Sequence, residues 1–120
     1  MTDRPTLPLD IYEEKIAIYR IVRGFLGLVM RDANIDIESL FKFAKETDEV
    51  IFLFDPEVSI YIHELYKKAV DLRYTATMIE HHNVIGEERS KYVNQNAELL
   101  LWLSEQVEEV RAVFSKHIAL

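Results

Sequence analysis

The stretch IAIYRIVRGFLGLVM, residues 16–30, decides the fold. Eleven of its fifteen residues are apolar, and on a helical wheel the other four, Arg20, Arg23, Gly24 and Gly27, fall on one narrow arc. A helix that is apolar over roughly 200° cannot bury that surface against a single neighbour. The stretch therefore predicts a central helix of a bundle, or a helix at a subunit interface.

Length and composition indicate one globular domain. The chain has 120 residues, of which 49% are hydrophobic and 29% charged, and it contains no cysteine, which excludes disulfides and thiolate chemistry. Residues 1–10, which include Pro5 and Pro8, predict an extended lead-in. Residues 11–120 are expected to form a single helical-bundle domain.

The charge balance argues against nucleic-acid binding, and the lack of cysteine and of a signal peptide indicates a cytoplasmic protein. The formal net charge of −7 disfavours contact with phosphate backbones. The opening residues MTDRPTLPLD lack the apolar core of a signal peptide. The apolar run at 16–30 contains two arginines and is shorter than the roughly twenty residues that cross a bilayer.

Capping residues divide the first half of the chain. Asp10 is the expected cap of a first helix over residues 11–31, and Asp36 that of a short second helix over 37–46. Residues 49–54, EVIFLF, could form a strand or a helical turn; because no second strand candidate exists, we predict a turn capped by Thr47 or Asp48. The apolar residues expected in the core here are Leu40, Phe41, Phe43, Ala44, Ile51, Phe52 and Phe54.

Two long helices account for the second half. Asp55 and Pro56 are a cap and a first helical residue, and they open a third helix over residues 56–82. Its expected core stripe is Val58, Tyr61, Ile62, Leu65, Ala69, Leu72, Ala76 and Ile79. The fourth helix, over residues 87–117, has a heptad seam made of Val93, Leu100, Val107 and Phe114, with Asn96, Leu103, Val110 and His117 three residues later. The fold class is therefore an all-α, antiparallel four-helix bundle in the order long, short, long, long.

Motifs that carry catalytic or metal chemistry are missing from the sequence. It contains no Glu-x-x-His pair and no glycine-rich phosphate loop. His63-Glu64 lacks the second histidine of a zincin motif. We therefore expect no enzyme activity, no cofactor and no metal.

The glycines of the first helix are its most unusual residues, because each costs roughly 1 kcal/mol in a helix interior relative to alanine. A functional interpretation is a partner surface or anion-binding groove made of Arg20, Arg23, Gly24, Gly27 and Arg31. The alternative is a close crossing of two helices of the same chain, with the arginines reaching water or pairing with acids of the fourth helix.

Aromatic residues suggest a second hypothesis, a small-molecule sensor. Its ligand would lie between helices near Tyr19, Tyr61 and Trp102, in an internal cavity of about 300 Å³ or more. The alternative is that such residues belong to a half-buried core with solvated polar ends.

The chain resembles a large group of uncharacterised bacterial helical proteins. The blocks that carry the resemblance are IAIYRIVRGFLGLVMRDANID, ETDEVIFLFDPEVSIYIHELYKKAVDLR, GEERSKYVNQNAELLLWLSEQ and FSKHI. Many members have a transmembrane helix just before the block that corresponds to residues 11–20, which implies that this domain is their cytosolic part. We expect no such anchor here, and the resemblance implies no site residue.

These observations together predict a non-enzymatic interaction or oligomerisation module. Its expected partner is a second copy of the chain in a homodimer, or another protein, and contact with the inner face of the membrane is expected only through a partner. Self-association is expected through the first or fourth helix. The supporting features are the heptad seam and the wide apolar arc of Ile11, Ile18, Val22, Phe25 and Val29.

Overall fold

The computed structural model describes residues 8–118, including the side chains of residues 11–118. This part of the chain is all-α. Its helices are α1 (Pro8–Asp32), α2 (Ile37–Glu46), α3 (Val50–Leu53), α4 (Pro56–Glu80) and α5 (Gly86–Ser115). The long, short, long, long order is confirmed, with α3 as a single turn between α2 and α4.

Contacts at both ends of the bundle establish that α5 runs antiparallel to both α1 and α4. The ring of Tyr19 on α1 packs against Phe114 on α5, with centroids 5.4 Å apart. Lys15 Nζ donates to the carbonyl oxygen of His117 at 3.3 Å. At the other end of α1, Arg73 on α4 donates to the carbonyl of Ile35 at 3.4 Å. The chain therefore runs up α1, down α2 and α3, up α4 and down α5.

The apolar arc of α1 is covered within the chain. Ile18, Val22, Phe25 and Val29 are buried, while Ile11 near the start of the helix is exposed. Phe25 stacks on Phe43 of α2 with ring centroids 3.9 Å apart. Because α2 covers one side of the arc and α5 the other, the arc provides a central helix and not a free interface.

The start of α1 differs from the prediction. The helix begins at Pro8 and not at Ile11, so Asp10 lies within it and is not its cap. Proline fits the first turn of a helix because its missing N–H would have no intrahelical acceptor there. Residues 1–7 of the expected lead-in lie outside the described residues.

The bounds of α2 are as predicted, but only two of the four residues expected in the core are buried. Asp36 caps the helix by accepting a hydrogen bond from the Ser39 backbone N–H at 2.7 Å. Leu40 and Phe43 are buried, whereas Phe41 and Ala44 are exposed. Adjacent helical residues point about 100° apart, so Leu40 and Phe41 cannot both face the core.

Residues 49–54 form a helical turn, as predicted, but two of the three residues expected in the core face outward. Val50 and Phe54 are buried, while Ile51 and Phe52 are exposed. No side chain caps α3, whose N-terminal flanking residue is Glu49. One turn can bury only the side that faces the bundle, so an unbroken apolar run leaves some members in solvent.

The third predicted helix is confirmed as α4, with small differences. It ends at Glu80 and not at His82, and Asp55 occupies the cap position without a side-chain capping bond. Ala76 and Ile79 are only half-buried. Because α1 ends near the level of Arg73, the last turns of α4 pack mainly on α5.

Candidate interaction surfaces

The glycine and arginine residues of α1 lie on the face turned away from the core. Gly24 and Gly27 are exposed, and a Cβ atom added at either position would meet nothing within 4 Å. The interpretation of these glycines as a close helix crossing within the chain is therefore wrong for the described residues. A cleft of about 380 Å³ is lined by Arg20, Arg23 and Gly24.

The arginines of this face do not pair with acids of α5 in the described chain. Arg31 donates to both carboxylate oxygens of Asp32 at 3.0 Å, which lowers the pKa of Asp32. The guanidinium of Arg23 lies over the ring of Tyr19, 5.5 Å from its centroid. Arg20 and Arg23 thus leave their positive charges without a carboxylate partner among residues 11–118.

The outer side of α5 has an uncovered apolar stripe. Leu101 is 63% exposed and lies opposite the buried Leu103, whereas Val107 is 49% exposed and lies at the edge of the buried side. The predicted heptad seam is therefore divided, since Leu103, Val110 and Phe114 fill the core whereas Val93 and Val107 are exposed. The exposed acids Glu98 and Glu105 flank this stripe, and the exposed Glu108 lies within it beside Leu101.

A second exposed apolar patch was missed by the sequence analysis. It comprises the adjacent residues Ile51 and Phe52 of α3, and Phe52 is 81% exposed; Phe41 of α2 is exposed as well. Beside it lies a groove of about 420 Å³ between α2, α3 and α4, whose lining includes Ile51 and Tyr66. The signal that could have revealed the patch was the run of consecutive apolar residues at 50–54, which is too wide for one buried side of a turn.

The three aromatic residues of the predicted sensor pocket are dispersed. Tyr19 is buried against Phe114, and the Tyr61 hydroxyl donates to Gln106 Oε1 at 2.9 Å. Burial, followed by the charges of Glu109 and Glu64, raises the pKa of Tyr61. Trp102 borders a groove of about 540 Å³ between α4 and α5, which neither Tyr19 nor Tyr61 lines.

A cluster of charged groups joins the start of α4 to the end of α5. His117 Nε2 lies 2.9 Å from Glu57 Oε1, and Lys116 Nζ lies 3.3 Å from Glu57 Oε2. These two hydrogen bonds lower the pKa of Glu57. Asp55 Oδ2 is 3.7 Å from His117 Nδ1, and the His117 ring stands edge-on to Phe54. The cluster covers the rings of Phe54 and Phe114 at the end of the bundle, so its role in the structure is to join α4 to α5.

Within the described residues, no group of three or more histidine, aspartate or glutamate side chains is placed to hold a metal ion. Nor does any helix there combine the length and apolar character that crossing a membrane requires. Comparison with models of protein families, with curated proteins and with solved structures gives no match. The surfaces described above therefore carry the functional argument alone.

Proposed function

We propose that this protein is a non-enzymatic interaction module of the cytoplasm that works by self-association. The observation that carries the proposal is the uncovered stripe on α5, where Leu101 and Val107 are exposed on a helix whose Leu103 and Val110 lie in the core. Large apolar side chains grouped on one face of a small domain are typical of protein-binding surfaces. The exposed face of α1 beside it, which includes Gly27, offers room for a close approach.

A homodimer is the simplest assembly that covers such a surface, because a two-fold axis covers the same patch on both copies. Membrane proximity, in this proposal, comes only through a partner protein. Arg20 and Arg23 of α1 are exposed and are therefore available to a partner.

Size-exclusion chromatography with light scattering tests the proposal. We expect a mass of about twice the 14.1 kDa chain at protein concentrations well above the micromolar range. On dilution the mass should fall towards that of one chain. A chain that stays monomeric throughout the concentrated range would contradict the proposed function.

The sensor hypothesis is a second candidate, and it moves from the predicted aromatic cluster to the groove at Trp102. The groove volume of about 540 Å³ lies within the usual range for small-molecule sites. Its lining combines the Trp102 ring with the charged groups of Lys68 and Glu98. Lys68 Nζ already lies 5.4 Å from the centroid of that ring, so a ligand would have to displace it.

A further inference from the structure

We infer that the two copies meet through the shared outer face of α1 and α5, with α1 of each copy lying across α5 of its partner. This arrangement rests on the self-association proposed above and specifies its interface. Three observations carry it: the apolar stripe of α5, the opposite charges of the two helices and their register within the chain.

The apolar component comes mainly from α5. On a helical wheel Val93, Leu100, Leu101 and Val107 lie within about 120° of one another, on the side of α5 that faces away from α4. Ala97 and Ser104 lie between them and are exposed, so the middle of the stripe is shallow. On α1, the half-buried side chains of Ile16 and Met30 lie on the side next to α5.

The charges of the two helices are complementary. The outer side of α1 carries Arg20 and Arg23, and that of α5 carries Glu105 and Glu108. None of these four groups takes part in an ion pair with another described residue. The exposed Arg111 also lies on this side of α5, close to the level of Arg23. A second copy that places α5 over α1 therefore brings Arg23 near the partner's Glu108 and the partner's Arg111, where the two acids outnumber this arginine, whereas α5 over α5 would bring acids together.

The register within the chain determines which residues would meet. Because Tyr19 packs on Phe114 and the two helices are antiparallel, Arg23 lies about level with Val110, and Gly27 about level with Gln106. A two-fold axis parallel to the helices keeps each residue at its level. Arg23 of one copy then lies within one helical turn of the partner's Glu108, and Gly27 lies beside the partner's Ser104 and the partner's Val107.

The area of this face suits a stable dimer. Two adjacent helices that face a partner over about 30 Å of their length, each about 10 Å wide, cover about 600 Å² on each copy. The total of about 1,200 Å² is at the lower end of the range for specific protein interfaces.

A charge exchange between two variants tests the arrangement. Arg23→Glu alone should place a glutamate against the partner's Glu108, and Glu108→Arg alone should place two arginines together. We expect each variant to dimerise about tenfold or more weakly than the original chain. When the two variants are mixed, each contact again joins opposite charges, so a heterodimer should form with the affinity of the original dimer or better.

Native mass spectrometry and sedimentation velocity of the mixture measure how much heterodimer forms, with one variant carrying a small mass tag. A pairing within one chain cannot restore the dimer on mixing, so the heterodimer is specific to an interface between copies. The matched control is the exchange of Lys67→Glu and Glu64→Arg on the exposed face of α4, which should leave dimerisation unchanged in either variant and in their mixture.

The outcomes separate this inference from the proposed function. If the original chain dimerises and neither Arg23→Glu nor Glu108→Arg weakens the dimer, the arrangement is wrong although self-association stands. If Phe52→Asp dissociates the dimer instead, the interface is the patch of Ile51 and Phe52, and the arrangement is again wrong. If the original chain is a monomer, both are wrong.

Discussion

Two residues in the turns of this protein, Ala33 and Gly86, have a left-handed backbone conformation. Ala33, directly after α1, has a φ of 52°, which lies in the left-handed region where a Cβ atom clashes with the backbone. Gly86 has a φ of 60° at the start of α5, where glycine adopts this conformation without strain. The two turns therefore need the same left-handed conformation, which is strained at Ala33 and unstrained at Gly86.

Ala33→Gly should stabilise the fold. Glycine removes the left-handed penalty at the residue after the helix, and after its greater entropy loss we expect a gain of about 0.5–1 kcal/mol in the free energy of unfolding. Urea denaturation measures it as a higher midpoint at constant slope. The control Ala112→Gly lies exposed within α5 and should lower the free energy of unfolding by about 1 kcal/mol. Equal effects of the two substitutions would contradict the explanation.

At the scale of elements, polar contacts establish how α4 and α5 pair along their lengths. Asn96 donates to Thr75 Oγ1 at 3.0 Å near one end, and the Tyr61 hydroxyl donates to Gln106 in the middle. At the other end His117 and Lys116 of the α5 terminus meet Glu57 of α4. A shift of one helix along the other would break all three contacts, so they fix the register of the longest helix pair.

The Glu57 contact should make the stability depend on pH. Its folded pKa is lowered by hydrogen bonds from His117 and Lys116, from an ordinary value of 4.5. Between the folded and unfolded pKa values the unfolded state binds more protons, so this stabilisation is present above pH 4.5 and is lost as the pH falls through the folded pKa.

Glu57→Gln should therefore lower the stability at neutral pH and flatten its loss on acidification. Urea midpoints measured from about pH 6 down to about pH 3 give both profiles. Glu64→Gln, an exposed carboxylate on the same helix without an ion pair in the described chain, is the matched control and should leave the profile unchanged. Parallel profiles for the original chain and Glu57→Gln would refute the assignment.

At the scale of the whole molecule, the two exposed glycines separate the needs of the fold from those of assembly. Gly24 borders a groove that α1 forms with α2, whereas Gly27 lies on the side of α1 next to α5. Neither glycine is required by a neighbour within the described chain, because an added Cβ meets nothing within 4 Å. The folded monomer therefore gives no reason for either residue.

Gly24→Ala and Gly27→Ala should each raise the free energy of unfolding of the monomer by about 1 kcal/mol, because alanine is the better helix former. In the proposed dimer only Gly27 lies under the partner helix, so only Gly27→Ala should raise the dissociation constant, by about tenfold. Denaturation of dilute protein and sedimentation of concentrated protein give the two quantities. Equal dimer affinities for both variants would exclude Gly27 from the interface.

Much of the fold followed from local chemistry. The side-chain cap of Asp36 marks the start of α2 and Pro56 that of α4, since both act on backbone groups of the same turn. The spacing of Val22, Phe25 and Val29 identified the buried side of α1, because a helix repeats every 3.6 residues whatever lies against it.

Tertiary structure alone decided which apolar residues are covered. Phe41 and Phe52 are as apolar as Phe43, and only the positions of the neighbouring helices make Phe43 the buried one. The periodicity of a short helix carries no information about those positions. The same applies to Val107, which has the heptad spacing of a core residue but lies at the edge of the α1–α5 contact. The sequence by itself thus determined the helices and their order, while packing determined the exposed surfaces, because burial depends on residues distant in the chain.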